Sequence, residues 1–179
     1  MEVINTHFEG LKVIIPKIWE DDRGCFYESY NEKKYSDLGI DIDFVQDNEA
    51  YSTYGVIRGL HYQKSPFAQA KLVRVVQGEV LDIVVDIREG SSTYGLYFSL
   101  ILNDITKKQL LIPEGFAHGY AVLSETATFA YKCNNYYAPD YEGGINLNDP
   151  NLEIDWLIPE KDRIISPKDQ ALPFLDQNN

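Results

Sequence analysis

Short runs of β-branched, aromatic and aliphatic residues, broken at close intervals by Gly, Pro, Asn or Asp, fill the middle of this chain and leave little room for helices. Leu11 to Ile15 is an apolar run stopped by Pro16, and Asp21-Asp-Arg-Gly24 is a turn leading into Phe26 and Tyr27. Leu72 to Val76 and Val80 to Ile87 are two β-branched runs separated by Gln77-Gly-Glu79, the signature of a hairpin. Leu96 to Leu102, Leu110 to Pro113, Phe116 to Leu123 and Thr126 to Cys133 follow. Only Asn31 to Leu38 reads as a helix, with Asn31 as its N-cap and Gly39 as its stop. Many short strands with frequent turns predict an all-β fold: a sandwich, a jelly roll or a closed barrel. The tail beyond Pro139 is loop-rich, with Asp155-Trp156 as a docking point and Ile164 to Leu172 as a short closing segment.

The chain has 179 residues and carries no repeat, low-complexity stretch or Gly/Pro/Ser-rich linker, so one domain over residues 1–179 is expected. Its formal net charge of −12 opposes binding to nucleic acid or to anionic membranes. A small anion could still bind where Arg23, Arg58, Lys71, Arg74 and Lys168 gather. Cys25 and Cys133 form no CxxC pair and read as buried, reduced thiols. The first residues have neither a basic n-region nor an apolar h-region, and no apolar run approaches the ~18 residues of a membrane span, so a cytoplasmic protein is expected.

The chemistry concentrates in Gly55-Val-Ile-Arg-Gly-Leu-His-Tyr-Gln63 and Lys71-Leu-Val-Arg74. One histidine and one lysine sit on neighbouring β segments. An imidazole can take a proton near neutral pH, and an ammonium can hold the charge left on an oxygen, which suits proton abstraction beside a carbonyl. His61 could equally be a core histidine satisfied by backbone. Gly59 in mid-strand marks the close approach of a ligand or another backbone. Arg58 and Gln63 add polar groups, and Gln63 shares the face of His61 if the strand is regular. Lys71 alternates with Val73 and Val75, so it either lines a cavity or snorkels to an edge.

Other chemistries find less support. A metal site usually needs His-x-His or several close carboxylates, but the position two after His61 is Gln63, and His118 precedes Gly119-Tyr120. His7, the third histidine, lies near the chain end. No GxxxxGK[ST], GxGxxG or GxSxG motif is present, and nothing near either cysteine makes a thiolate site.

Eleven segments, in order, resemble the dTDP-4-dehydrorhamnose 3,5-epimerase family. They begin with Asp22-Arg-Gly24, Phe44-Val-Gln-Asp-Asn48, the 55–63 segment and Gln69-Ala-Lys-Leu-Val-Arg74. Gly78 to Arg88, Ile112-Pro-Glu-Gly-Phe-Ala-His-Gly119, Tyr131-Lys-Cys133 and Tyr136-Tyr-Ala-Pro139 follow. Glu142-Gly-Gly-Ile145, Asn148-Asp-Pro150 and Ser166-Pro-Lys-Asp169 complete the set. The resemblance implies a cupin-like jelly-roll β-barrel with short peripheral helices, a homodimer, and no metal or cofactor. It implies inversion of C3 and C5 of a dTDP-linked 4-keto-6-deoxyglucose on the route to dTDP-L-rhamnose. By the same resemblance His61 is the base, Asp169 orients it, Tyr131 is the acid on the opposite face, and Lys71 lies beside the keto oxygen. Arg23, Glu28, Gln46, Asn48, Arg58, His118, Glu142 and Lys168 match substrate-contacting positions, and Tyr137 matches an aromatic that stacks on thymine.

Three features depart from the family pattern: Leu147 where an aromatic is common, Trp19 where phenylalanine is common, and an unusually apolar stretch from Leu96 to Asn103. None removes a proposed catalytic group. The rival expectations are an epimerase that inverts only C3 or only C5, a non-catalytic sugar-nucleotide binder, and a metal-dependent β-barrel enzyme. The apolar Leu96 to Leu102 stretch would gain from cover by another sheet, as in a dimer.

Overall fold

A computed structural model describes residues 1–175. The strands, in chain order, are β1 (Glu2–Asn5), β2 (Lys12–Ile15), β3 (Trp19–Asp21), β4 (Gly24–Phe26), β5 (Gln46–Thr53), β6 (Val56–Gln63) and β7 (Lys71–Gln77). They continue with β8 (Glu79–Asp86), β9 (Tyr97–Asn103), β10 (Gln109–Ile112), β11 (Phe116–Val122), β12 (Thr126–Cys133), β13 (Glu142–Gly144) and β14 (Ile164–Ile165). Among the described residues two short α-helices, α1 (Glu32–Ser36) and α2 (Pro167–Gln170), flank the strands. The helix expected near residue 31 is present: the Asn31 side chain accepts from the Lys34 N–H, and Gly39 follows with φ of 74°.

Two main sheets carry the fold. The first runs β1-β2-β10-β7-β12-β5, and the second runs β13-β6-β11-β8-β9 with β14 added parallel to β6. The expected hairpin at residues 77–79 does not form. β7 and β8 belong to different sheets, so Gly78 is a crossing between layers and not a turn within one. The reason is steric as well as topological. Gly78 has φ of 82°, and a Cβ there would lie 2.1 Å from the Thr126 carbonyl oxygen, so only glycine lets the chain pass so close to β12. Both runs are apolar because both lie in sandwiched layers, and sequence alone does not say that the layers differ.

Val73, Val75, Val80, Val84, Leu110, Phe129 and their neighbours from both sheets form the core between the layers. The far side of the second sheet is not left to water. Ile145, Leu147, Leu152, Trp156 and Ile158 from the tail cover Ile57, Leu60, Leu81, Ile83 and Val85. Trp156 is fully buried, and its indole N–H donates to the Leu147 carbonyl at 3.1 Å, so the tail docks where the sequence placed it. Leu147 therefore occupies a core position. A third cluster, with Tyr35 and Ile40, covers part of the outer face of the first sheet at Ile14, Leu72 and Leu111. Cover on both faces explains why nearly all of β8 and all of β11 are buried. Each fully buried Leu, Ile or Val contributes roughly 1.5–3 kcal/mol. Among the described residues, no helix is long and apolar enough to cross a membrane.

Candidate active site

A cavity of about 560 Å³ opens at one end of the space between the sheets. Its position follows from strand alternation. Lys71 shares an inward face with Val73 and Val75, Tyr131 shares one with Phe129, and His118 shares one with Phe116 and Tyr120. Lys71 therefore lines the cavity and does not reach an outer edge. Gly59 produces the tight approach the sequence pointed to: a Cβ there would meet the Gly119 Cα at 2.5 Å, so β6 and β11 come together backbone to backbone. His61 on β6 stands directly opposite His118 on β11 in the strand register.

His61 is paired with a carboxylate from far along the chain. Its Nε2 lies 2.8 Å from Asp169 Oδ1. Asp169 is 4% exposed, whereas the His61 side chain retains 31% of its exposure at the cavity wall. The local sequence explains this placement. Ser166 caps α2 by accepting from the Asp169 N–H at 3.0 Å, Pro167 begins the helix, and the Asp169 carboxylate is thus presented toward β6. With a carboxylate accepting at Nε2, that nitrogen carries the proton and Nδ1 is the basic nitrogen.

Lys71 and Tyr131 lie close together, the ammonium nitrogen 5.9 Å from the centre of the phenol ring. Burial lowers the Lys71 pKa, while the nearby Cys133, Asp82 and Glu142 act in the opposite direction. Burial pushes Tyr131 up to about 12, so its phenol stays protonated at neutral pH. Arg58 also lines the cavity and donates to Ser52 Oγ at 3.2 Å.

A second group forms the rim. Lys168 lines both the main cavity and an adjoining depression that contains Glu142 and His61. Its Nζ donates to Glu142 Oε2 at 2.6 Å, and the Tyr137 hydroxyl donates to the same oxygen at 2.9 Å. Burial pushes the Glu142 pKa up, but these two hydrogen bonds outweigh it and hold the carboxylate below its usual value. The Tyr137 N–H donates to Gln46 Oε1, and Gln46 Nε2 donates to Asn48 Oδ1. Asn48 is in turn opposite Tyr131 on the β5–β12 ladder. Eleven of the thirteen sequence-predicted site residues are thus in or around one opening: His61, Lys71, Tyr131, Asp169, Arg58, His118 and Lys168 in the cavity, and Gln46, Asn48, Tyr137 and Glu142 at the rim.

Arg23 and Glu28 are the exceptions. Arg23 sits on the β3–β4 hairpin and is bound to Asp21, and Glu28 is bound to Lys34 and Asn31. Neither lines the cavity of its own chain. Gln63 is not a cavity residue either. It is buried, donates to the Phe67 and Tyr136 carbonyls and accepts from the Ala138 N–H, which ties the 64–68 turn to the loop after β12.

The sequence reading passed over Asp82. It is fully buried on β8 and lies 2.9 Å from His118 Nε2. The available signal was a single acidic residue inside the apolar run Val80-Leu-Asp-Ile-Val-Val85. Among the described residues, no three His, Cys, Asp or Glu side chains gather so that they could hold a metal ion.

The model of the dTDP-4-dehydrorhamnose 3,5-epimerase family matches residues 5–177. The chain belongs to that family. The dTDP-4-dehydrorhamnose 3,5-epimerase of Escherichia coli is 46% identical over 179 residues, covering 99% of this chain and 96% of that protein. The crystal structure of dTDP-6-deoxy-D-glucose-3,5-epimerase from Legionella pneumophila in complex with dTDP-4-keto-L-rhamnose is 51% identical, with a TM-score of 0.95 over 99% of this chain and 94% of that one. A more distant neighbour is a 3'-monoepimerase from Streptomyces bikiniensis, solved with dTDP, at 31% identity and a TM-score of 0.90 over 97% of this chain and 87% of that one. The cavity of this family member brings an imidazole from one sheet together with a lysine and a phenol from the other.

Proposed function

We propose that this epimerase inverts C3 and C5 of dTDP-4-dehydro-6-deoxy-D-glucose to give dTDP-4-dehydro-L-rhamnose, in dTDP-rhamnose biosynthesis and without a cofactor. The observation that carries the reading is the His61–Asp169 pair at 2.8 Å on the wall of the same cavity as Lys71 and Tyr131. Each carbon to be inverted lies next to the C4 ketone, so removal of its proton leaves an enolate. His61 takes that proton at Nδ1, and Asp169 stabilises the imidazolium that results. Lys71 faces the C4 oxygen and stabilises the enolate charge. Tyr131 returns a proton from the opposite face, which inverts the centre. Its phenol then recovers a proton from solvent.

The remaining polar residues suit the nucleotide. Arg58 and His118 supply charge and hydrogen bonds for a diphosphate. Tyr137, about half exposed at the rim beside Gln46 and Asn48, offers a stacking face with amides for a base edge. The fold reading that goes with this function is a single cupin-like jelly-roll domain in a cytoplasmic enzyme, its two sheets forming the halves of the barrel.

The working unit in this reading is a homodimer. All eight residues of the β3–β4 hairpin, Trp19 to Phe26, are exposed, including Cys25, whose thiol is therefore not buried as the sequence suggested, and among the described residues the hairpin pairs with no other strand. Arg23 and Glu28, absent from their own cavity, would be delivered to the cavity of a second copy. Mixing Arg23→Ala with His61→Ala subunits would then restore part of the activity that each variant lacks. No restoration on mixing would place both residues in one chain's own site.

The test of the reaction is incubation with dTDP-4-dehydro-6-deoxy-D-glucose in deuterated water. Two deuterium atoms per product molecule, at C3 and C5, are expected. A single deuterium would make the protein a monoepimerase like its Streptomyces neighbour, and binding without exchange would make it a sugar-nucleotide binder.

A further inference from the structure

Gln63 closes the 55–63 segment that carries the base, and the reaction scheme above gives it no task. It is the last residue of β6, two places after His61, and is 7% exposed. Its carboxamide reaches not the cavity but the turn after β6 and the loop after β12. Nε2 donates to the Phe67 carbonyl at 2.6 Å and to the Tyr136 carbonyl at 3.2 Å, and Oε1 accepts from the Ala138 N–H at 2.8 Å. Two donors and an acceptor on one planar group are what a carboxamide offers. A glutamate would set an oxygen against two carbonyls, and an apolar side chain would leave backbone groups without partners beside a buried position.

Between Tyr136 and Ala138 lies Tyr137, the ring proposed above to stack on the nucleotide base. The Tyr137 N–H donates to Gln46 Oε1 at 3.1 Å, and the Tyr137 hydroxyl donates to Glu142 Oε2 at 2.9 Å. Two glutamines thus grip three backbone groups in a row: the Tyr136 carbonyl, the Tyr137 N–H and the Ala138 N–H. Gln46 belongs to the first sheet and Gln63 to the second, so the loop is pinned to both. Tyr136 and Tyr137 are each more than half exposed, so burial does little to hold this loop and the hydrogen bonds do more.

The strand that pins the loop also carries the base. From His61 to Gln63, β6 runs in unbroken register with β13, and two residues of strand span roughly 6–7 Å. A nucleotide sugar has to set its thymine on Tyr137 and its sugar at His61 at the same time, and one stretch of β6 fixes the separation of the two seats. We propose that Gln63 is a positioning residue for nucleotide binding: it acts through Tyr137, holding the ring in its stacking pose before the substrate arrives and at a set distance from His61. This rests on the stacking of thymine on Tyr137 proposed above.

Gln63→Leu is expected to weaken dTDP binding about 3–20-fold and to raise KM by a similar factor, while kcat stays within about threefold because His61, Lys71 and Tyr131 keep their places. A fall in kcat with unchanged dTDP affinity would overturn the proposal. A double-mutant cycle separates the role from a general loosening of the fold. Tyr137→Ala alone should cost about 5–50-fold in dTDP affinity, and adding Gln63→Leu to it should cost no more than about twofold further. Losses that multiply in full would mean that Gln63 does not act through the ring. Amide hydrogen exchange on the wild type covers the case in which the variant does not fold. The Tyr137 and Ala138 N–H groups should be protected before dTDP is added and to nearly the same degree afterwards. Protection that arises only with dTDP would mean that the ligand orders the loop, and would also sink the proposal. These measurements read dTDP binding or the free protein, so their failure is distinct from a failure to epimerise: a chain that inverts no carbon can pass them, and one that inverts both can fail them.

Discussion

Asp169 and His61 are 108 residues apart in the chain and 2.8 Å apart in space, with the carboxylate on Nε2 of the ring. In the proposed mechanism this geometry leaves Nδ1 as the basic nitrogen. Asp169→Asn would keep the shape of the pair but remove the charge that stabilises the imidazolium. Its kcat should fall about 10²–10⁴-fold with little change in dTDP affinity, and His61→Ala should lose at least as much. Steady-state rates alongside a binding measurement would check this. A His61→Ala enzyme that folds and retains wild-type turnover would remove the imidazole from the mechanism.

Tyr131 stands on a different strand and a different sheet from His61. Burial raises its pKa to about 12, so it remains a proton donor throughout the working range of an imidazole base. Tyr131→Phe should therefore spare proton removal and impair its return from the other face. In deuterated water the variant is expected to exchange substrate protons faster than it inverts the carbons. Equal losses of exchange and inversion would show that the phenol does not act after enolisation.

How much of this was legible in the sequence depended on whether the signal was local. The strands of the 96–133 region, the Asn31 cap and the Gly59 close approach were readable, because alternation, capping and mid-strand glycine are properties of a few adjacent residues. The layer change at Gly78 was not. Two apolar runs around a glycine look alike whether the strands pair with each other or with partners in separate sheets, and only the pairing of β8 with β9 and β11 decides it. Asp169 could not be joined to His61 by spacing, and its role came from motif resemblance. Asp82 was visible as an acidic residue in an apolar run, yet its partner His118 arrives from another strand.

Lys71 carries a clear pH expectation. Burial lowers its pKa from the ordinary 10.5, so its ammonium is lost at lower pH than that of a free lysine as the solution becomes more alkaline. Activity should decline on the alkaline side before 10.5 is reached, and Lys71→Met should lose about 10²–10³ in kcat, since it removes the charge that the proposed mechanism sets against the enolate. A kcat profile taken through the alkaline range checks both statements. If Lys71→Met keeps the wild-type kcat and weakens only substrate binding, the lysine serves the ground state and not the enolate.

Asp86 offers a stability test that is separate from catalysis. Its side chain is fully buried, and it accepts hydrogen bonds from Arg88 Nη2 at 2.7 Å, Ser91 Oγ at 2.7 Å and Thr93 Oγ1 at 2.6 Å, which braces the loop between β8 and β9. Burial pushes its pKa up, but the hydrogen bonds from Arg88, Thr93 and Ser91 outweigh this and bring it down to about 2 from 3.8. A depressed carboxyl pKa stabilises the fold fully above the unfolded value of 3.8, and that stability is lost as pH falls toward 2. Asp86→Ala is therefore expected to destabilise the protein by about 3–5 kcal/mol near neutral pH. The deficit should narrow as the pH is lowered through the acid range, because the wild type then loses the same contribution. Urea denaturation at a series of pH values reads this directly, and a deficit that does not vary with pH would assign the effect to lost packing and not to the charge.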